Sequence, residues 1–370
     1  MPTATESVHT RSPDQLDQLV SALRSGRGGD PAVADRLAAA VTRRRRPLKI
    51  QVAGRALSGR TTVLRALALL SAEETAPVDQ PELPDPVLDG DLVIYVLAGA
   101  PQAADHRLLA TLPAGRSVVV LNKADAVGAR WGEAVAAAER YAQELKLPII
   151  PVVASLAART RAGAVDATDL SDLRKLAESP EIPSVLAAEL FIGSGPDQDA
   201  RRRLIENWDL YGVDCALTAL RADPELPATA LIQILHSASG IDPLHRLVHR
   251  RYEQVEAVRG GELLDELIRL AAAAVPLDGA RGREMIEHYL AGDEALWAGL
   301  CAGLACPAVS HLAAGYHPSP APADADEALA RATRWRAVVS SDMPPTARRA
   351  ALRVHNGYIR AWERMSSAGL

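Results

Sequence analysis

The sequence predicts an α/β domain with a mostly parallel sheet, followed by an all-α helical domain. Three observations predict it. Short uninterrupted apolar runs alternate with amphipathic stretches as far as Ser155, the pattern of βαβ units whose strands are buried on both faces. From about Leu170 no further run of that kind occurs, only amphipathic segments broken by Pro and Gly. Ala is the dominant apolar residue and aromatics make up 4% of the chain, which favours helices because Ala is the best helix former. A length of 370 residues with 48% apolar content suits two domains, each with its own core.

Each element follows from local sequence. Residues 14–42 read as one or two short helices around the Gly-rich break SGRGGD. Arg43–Arg46 form a basic run, read as solvated, and Pro47 stops any helix. Leu48–Ala53 makes a short strand that runs into a Gly-containing loop, and TTVLRALALLSA continues as a helix. Glu73–Gly90 is acidic and holds four prolines, so it reads as a loop. Leu92–Gly99 is a buried parallel strand, Ala103–Leu112 a helix, and SVVVLN the next strand. A helix over Trp131–Leu145 and a strand in PIIPVVAS complete the sheet. The expected domains are an N-terminal helical segment (1–46), the α/β domain (47–180) and a helical bundle (181–370), with the boundary near Ser179 to Pro183.

Composition narrows the function. A net charge of −5 argues against nucleic acid as a partner, since such domains carry a basic excess. Three cysteines, Cys215, Cys301 and Cys306, form neither a disulfide framework nor a CxxC pair, which suits small buried side chains in a reducing cytosol. The N-terminus shows no basic region followed by an apolar core, so no secretory signal is expected.

The chemistry lies in two motifs. Gly54 and Gly59 are spaced as in the phosphate-binding pattern G-x-x-x-x-G-K-[ST], with Thr61 at the hydroxyl position and Arg60 where lysine belongs. Strand, Gly-rich loop and helix is the context such a loop requires, because backbone N–H groups and a helix N-terminus then face one anion. At the end of a later strand, Asn122, Lys123 and Asp125 form N-K-x-D. An Asp carboxylate there can accept from guanine N1 and N2, the Lys stem can lie along the base, and Asn can brace the loop and contact N7. After the next strand, Ala154 and Ser155 offer a small pair whose backbone N–H can meet guanine O6. The sheet is therefore expected to be a reduced version of a P-loop GTPase sheet.

With these motifs in order, the chain resembles the dynamin-like GTPase family of bacteria, in particular its small isoniazid-inducible members. The resemblance runs from about Leu48 to the C-terminus and includes ENWDLYGVDCALTAL, SASGIDPLHRLVHRRYEQVEAVR and RWRAVVSSDMPPTARRAALRVHNGYIRAWERM. It implies a Ras-like GTPase head with a helical bundle that dimerises and contacts membranes. GTP or GDP would be the ligand, with phosphates on Gly54, Gly59, Arg60 and Thr61, the base on Asn122, Lys123, Asp125 and Ala154, and magnesium on Thr61. It also implies a cytoplasmic protein, peripheral at the inner face of the plasma membrane, whose partner is a complete dynamin-like GTPase or a second copy.

Two departures weigh against a working enzyme. Arg60 keeps the positive charge but is longer and planar, so the swap is not conservative in a tight cradle. Only 30 residues separate Thr61 from Asp91, too few for switch I, two strands and the D-x-x-G of switch II, which supply magnesium's second shell and the γ-phosphate sensor. The leading expectation is a degenerate pseudo-GTPase with weak or absent guanine-nucleotide binding and no catalytic residues, acting as a regulatory or structural partner of another protein. The alternatives are an active GTP-hydrolysing, membrane-remodelling protein with groups borrowed across a dimer, and a nucleotide-free adaptor. Arg60 paired with an acid from Glu73 to Asp91 would close the loop to ligand.

The remaining features read as structural. The basic amphipathic helix with Arg348, Arg349, Arg353, Arg360 and Arg364 packs into the bundle with its basic side outward, or lies on a membrane. Ala295–Gly315 is long enough to span a bilayer but is interrupted by Pro307 and His311, which favours a buried helix or helical hairpin. His245, His249 and Glu253 fall on one charged helical face, and the five Trp residues are expected as buried anchors.

Overall fold

Alternation inside the apolar runs builds a two-faced sheet. The computed structural model describes residues 14–25, 31–69, 71–80, 84–128, 130–163, 165–179, 187–193, 197–273, 280–313 and 320–368. After α1 (Gln15–Ser25) and α2 (Pro31–Arg45) come β1 (Ile50–Gly54), α3 (Arg60–Leu67), β2 (Glu73–Glu74), β3 (Leu92–Ala98) and α4 (Ala103–Leu109). Next follow β4 (Ser117–Asn122), α5 (Trp131–Leu145), β5 (Ile149–Val152) and α6 (Ala154–Ala162). All neighbouring strands pair parallel in the order β2-β1-β3-β4-β5.

Period-two burial explains why the central strands read as continuous apolar runs. Ile94 and Val96 join Val118 and Val120 on the face covered by α3 and α6, while Tyr95 and Leu97 join Val119 and Leu121 on the other, with Ala137 and Ala138 of α5. The buried Tyr95 hydroxyl donates to Asp105 at 2.8 Å.

Glu73–Gly90 is not all loop. Glu73 and Glu74 form β2, in register with Gln51 and Val52, and Thr75 N–H and Val78 N–H continue along β1 by donating to the Val52 and Gly54 carbonyls. The side chains of both glutamates are exposed. Edge pairing through backbone alone leaves no apolar alternation to read.

The helices that follow are α7 (Ala167–Glu178), α8 (Ala188–Gly193), α9 (Gln198–Ala222), α10 (Ala228–Ala238) and α11 (Ile241–Ala273). By its contacts the chain divides into Leu48–Tyr252 and, separately, Met1–Pro47 with Glu253–Leu370. The division falls inside α11, whereas the boundary expected near Ser179 to Pro183 falls in a stretch of which all but Ser179 lies outside the described residues. Helices α7 to α10 stay with the sheet because Leu156 of α6 shares one core with Leu173, Phe191, Leu204, Trp208 and Leu235. Truncating a side chain as buried as Leu204 costs about 2–5 kcal/mol. Buried Asp169 holds this core's polar centre, accepting from Trp208 Nε1 at 2.8 Å and Asn207 Nδ2 at 3.0 Å.

Among its described residues the other unit has helices and no strand. It adds α12 (Ala280–Ala291), α13 (Asp293–Leu304), α14 (Pro307–Ser310), α15 (Ala325–Val339) and α16 (Pro345–Ala368). Leu19, Leu37, Leu267 and Ile286 form one core, and Leu300, Trp335, Val354 and Tyr358 another. Arg45 of the basic run bonds Asp14 and Asp17, which raises its pKa against a smaller loss from burial. Helix α13 meets the following segment at 81°, and among the described residues no single helix is long and apolar enough to cross a membrane. Gly315, the end of the Ala295–Gly315 stretch, lies outside them.

Candidate functional site

The predicted phosphate loop lies where β1 hands over to α3, at the carboxyl end of the sheet. Strand order reverses around β1, with β2 on one side and β3 on the other, the position at which open α/β sheets bind ligands. Two glycines make the turn. At Gly54 (φ 153°) a Cβ would sit 2.4 Å from the Val96 carbonyl oxygen, and at Gly59 (φ 89°) it would sit 2.3 Å from Asn122 Nδ2. Asn122 uses that gap to bind the two loops together. Its Nδ2 donates to Ser58 O at 2.9 Å and its Oδ1 accepts from Ala154 N–H at 3.1 Å. Thus Ala154 N–H, the sequence-predicted partner of guanine O6, is bonded within the chain.

Four internal contacts to three acceptor residues fill the phosphate side. Arg60 Nη1 donates to Thr75 O at 2.5 Å, and its Nη2 lies 3.5 Å from Glu74 Oε1. Thr61 Oγ1 donates to Glu74 Oε2 at 2.8 Å, and Ala56 N–H donates to Asp79 Oδ1 at 2.8 Å. All three acceptors come from the segment that runs along β1 after α3. Arg55 is tied down as well, 3.1 Å from fully buried Asp105 and bonded to the Ala98 and Ala100 carbonyls. Leu57, at the loop's tip, has φ 58° and is 89% exposed, a conformation that costs a non-Gly residue about 1–3 kcal/mol. Ser58 Oγ is buried without a hydrogen-bond partner among the described residues.

The base side is differently placed. Lys123 adopts the left-handed conformation (φ 56°) and is exposed, which turns the chain after β4. Asp125 retains open surface, yet protein crowded around its carboxyl raises its pKa. Desolvation is the largest cause; a backbone bond opposes it, Asp209 raises it further and Lys123 lowers it. Asp209 lies at a kink within α9 (φ 54°, ψ 170°), 3.2 Å from Arg159. Trp131 stacks on Tyr211 with centroids 6.3 Å apart.

As arranged, these residues do not fit a nucleotide phosphate or its magnesium. A phosphate would meet the Glu74 and Asp79 carboxylates, and a divalent cation at Thr61 would meet the Arg60 guanidinium at the same Glu74. Among the described residues no group of three or more His, Cys, Asp or Glu side chains is placed to hold a metal. The structure therefore brings Gly54, Gly59, Arg60, Thr61, Asn122 and Ala154 together, with Lys123 and Asp125 on the turn beyond Asn122. Sequence reasoning left Glu74 and Asp79 open among the acids from Glu73 to Asp91 and gave no role to Ser58 or Asp209. The signal for the first two was the density of carboxylates after α3. No protein-family model matches the chain, and no curated protein matches it.

Proposed function

We propose that this protein is a degenerate, dynamin-like pseudo-GTPase: a reduced nucleotide-binding head whose phosphate cradle is held by its own acidic segment. It binds guanine nucleotide weakly or not at all and serves as a regulatory or structural partner of another protein, for which a complete dynamin-like GTPase is the candidate. The supporting observation is that Glu74 takes both Arg60 and Thr61 while Asp79 takes the Ala56 N–H. Those are the cation, hydroxyl and backbone donor that a triphosphate would need. Displacing two carboxylates already bonded to the donors subtracts from any phosphate affinity, because only the difference between the two sets of bonds is gained.

In this reading the Asn122 brace keeps the inherited frame rigid while its chemistry is lost, and the head presents a surface rather than a reaction. The test is calorimetric titration of the whole chain with GDP, GTP and ATP, with and without magnesium. Absent or millimolar binding of all three, with no turnover, is expected. Micromolar guanine binding with turnover that disappears in Asp125→Ala and Thr61→Ala would replace this reading with a working GTPase. Nucleotide-independent partner capture that survives Asp125→Ala would leave only an adaptor on an inherited fold.

A further inference from the structure

The helical unit contains a cavity of about 340 Å³ between α11, α12, α13 and α16. Its floor is apolar and buried, formed by Leu264, Leu296 and Ala295. Gly299 leaves the wall open, since a Cβ there would make only ordinary contact with Leu264 and Arg353. The mouth is apolar yet uncovered: Ile268 is 52% exposed and Leu352 44%.

One face of α16 borders the cavity with Arg349, Arg353, Asn356 and Arg360, whose spacing of four, three and four residues makes a single helical stripe. Among the described residues no acidic side chain lines the cavity. Arg353 bonds Asp265 beside it and Arg360 donates to the Leu290 carbonyl, so each is anchored through part of a guanidinium that carries five donors.

We infer that this cavity binds a free medium-chain carboxylate, its alkyl chain on the Leu264–Leu296 floor and its head on the α16 arginines. Size, floor and charge select that class together. The volume sits at the small end of ligand pockets, which run from about 300 to 1,000 Å³, too small for a partner helix or a two-chain lipid. An apolar floor gives a bare anion nothing to bury, and a neutral chain gives the guanidinium donors that Arg349, Arg353 and Arg360 have to spare no charge to pair with. Guanidinium groups pair with carboxylates through planar, charge-assisted bonds.

Calorimetry of the full chain with dodecanoate, kept below its aggregation concentration, tests this. Saturable one-to-one binding is expected, with dodecanol at least about tenfold weaker, since charge-assisted bonds are the strong ones. Dodecyltrimethylammonium should not bind. The exposed-site variant Arg349→Glu/Arg360→Glu should lose about tenfold or more with its ligand-free melting temperature unchanged; should the double variant not fold, Arg349→Glu alone carries the test. No heat with dodecanoate, equal affinity for dodecanol, unchanged affinity in the folded variant, or binding only to anionic phosphatidylglycerol vesicles would each overturn the inference. The last outcome would assign the arginines to a membrane surface. None of these readouts depends on nucleotide binding by the other unit.

Discussion

Glu74 holds Thr61 and Arg60 with one carboxylate, its Oε2 accepting the Thr61 hydroxyl at 2.8 Å and its Oε1 lying 3.5 Å from Arg60 Nη2. Arg60 is nearly covered, with 11% of its side chain exposed against 31% for Glu74. An acid from the β1 edge thus satisfies the hydroxyl and the cation of the loop together.

Removing that acid should open the cradle. Glu74→Gln/Asp79→Asn keeps the shapes and deletes two negative charges, so affinity for inorganic phosphate or GTP is expected to rise at least about tenfold. Stability should change by no more than about 1 kcal/mol, because the ion pair is partly exposed and long. Titration with phosphate beside a thermal melt measures both. Phosphate affinity identical to wild type would mean that these carboxylates do not close the loop.

Gly59 should tolerate no side chain. Ala at φ 89°, with its Cβ 2.3 Å from Asn122 Nδ2, must strain the backbone and push Asn122 off Ser58 O. A loss of about 1–3 kcal/mol is expected. Gly132→Ala on α5 is the control: a Cβ there meets nothing within 4 Å, and Ala is the better helix former by about 1 kcal/mol. Urea unfolding of the two variants should move the midpoint in opposite directions.

Asp169 is 2% exposed and carries the bonds from Trp208 Nε1 and Asn207 Nδ2. Asp169→Ala leaves the buried Trp208 Nε1–H without that acceptor, while exposed Asn207 can turn to water, at a cost of about 1–3 kcal/mol. Asp169→Asn keeps one acceptor oxygen for Trp208 and should cost less. Trp208 emission, read with the unfolding midpoint, separates the two. Equal losses would show that the carboxylate's charge matters and its geometry does not.

Legibility followed the side chains. The central strands announced themselves because Val93, Tyr95 and Leu97 bury on one face and Ile94 and Val96 on the other, so every position is apolar. Gly54, Gly59 and Asn122 were legible by spacing, which places Gly54 and Asn122 at the ends of β1 and β4 and Gly59 at the start of α3. Two backbone-paired glutamates in β2 carry no such signal, and neither does the placement of Asp79 on Ala56 N–H. Those depend on how the chain after α3 lies along β1. The extent of the sheet-containing unit was hidden for a related reason: Leu173, Leu204 and Trp208 show a helical period, but nothing local says which core they join.

Cys215 gives an alkaline signature. Burial pushes its thiol up to about 11, a hydrogen bond from Tyr211 opposing this and Asp214 adding to it. An unfolded thiol titrates near 8.5. Between those values the unfolded chain has already released its proton while the folded chain still holds it, so folded-state stability falls as pH rises. The loss begins near pH 8.5, is nearly complete by pH 11, and is expected to total about 1–2 kcal/mol at this incompletely buried group. Burial also raises the pKa of Tyr211, so part of the slope survives removal of the thiol. Cys215→Ser, which does not titrate there, should flatten the decline between pH 8.5 and 11 and leave stability at pH 7 within about 1 kcal/mol of wild type. Urea unfolding at pH 7, 9 and 10.5 decides it. Parallel curves for wild type and variant would show that the thiol ionises in the fold as it does in the free chain.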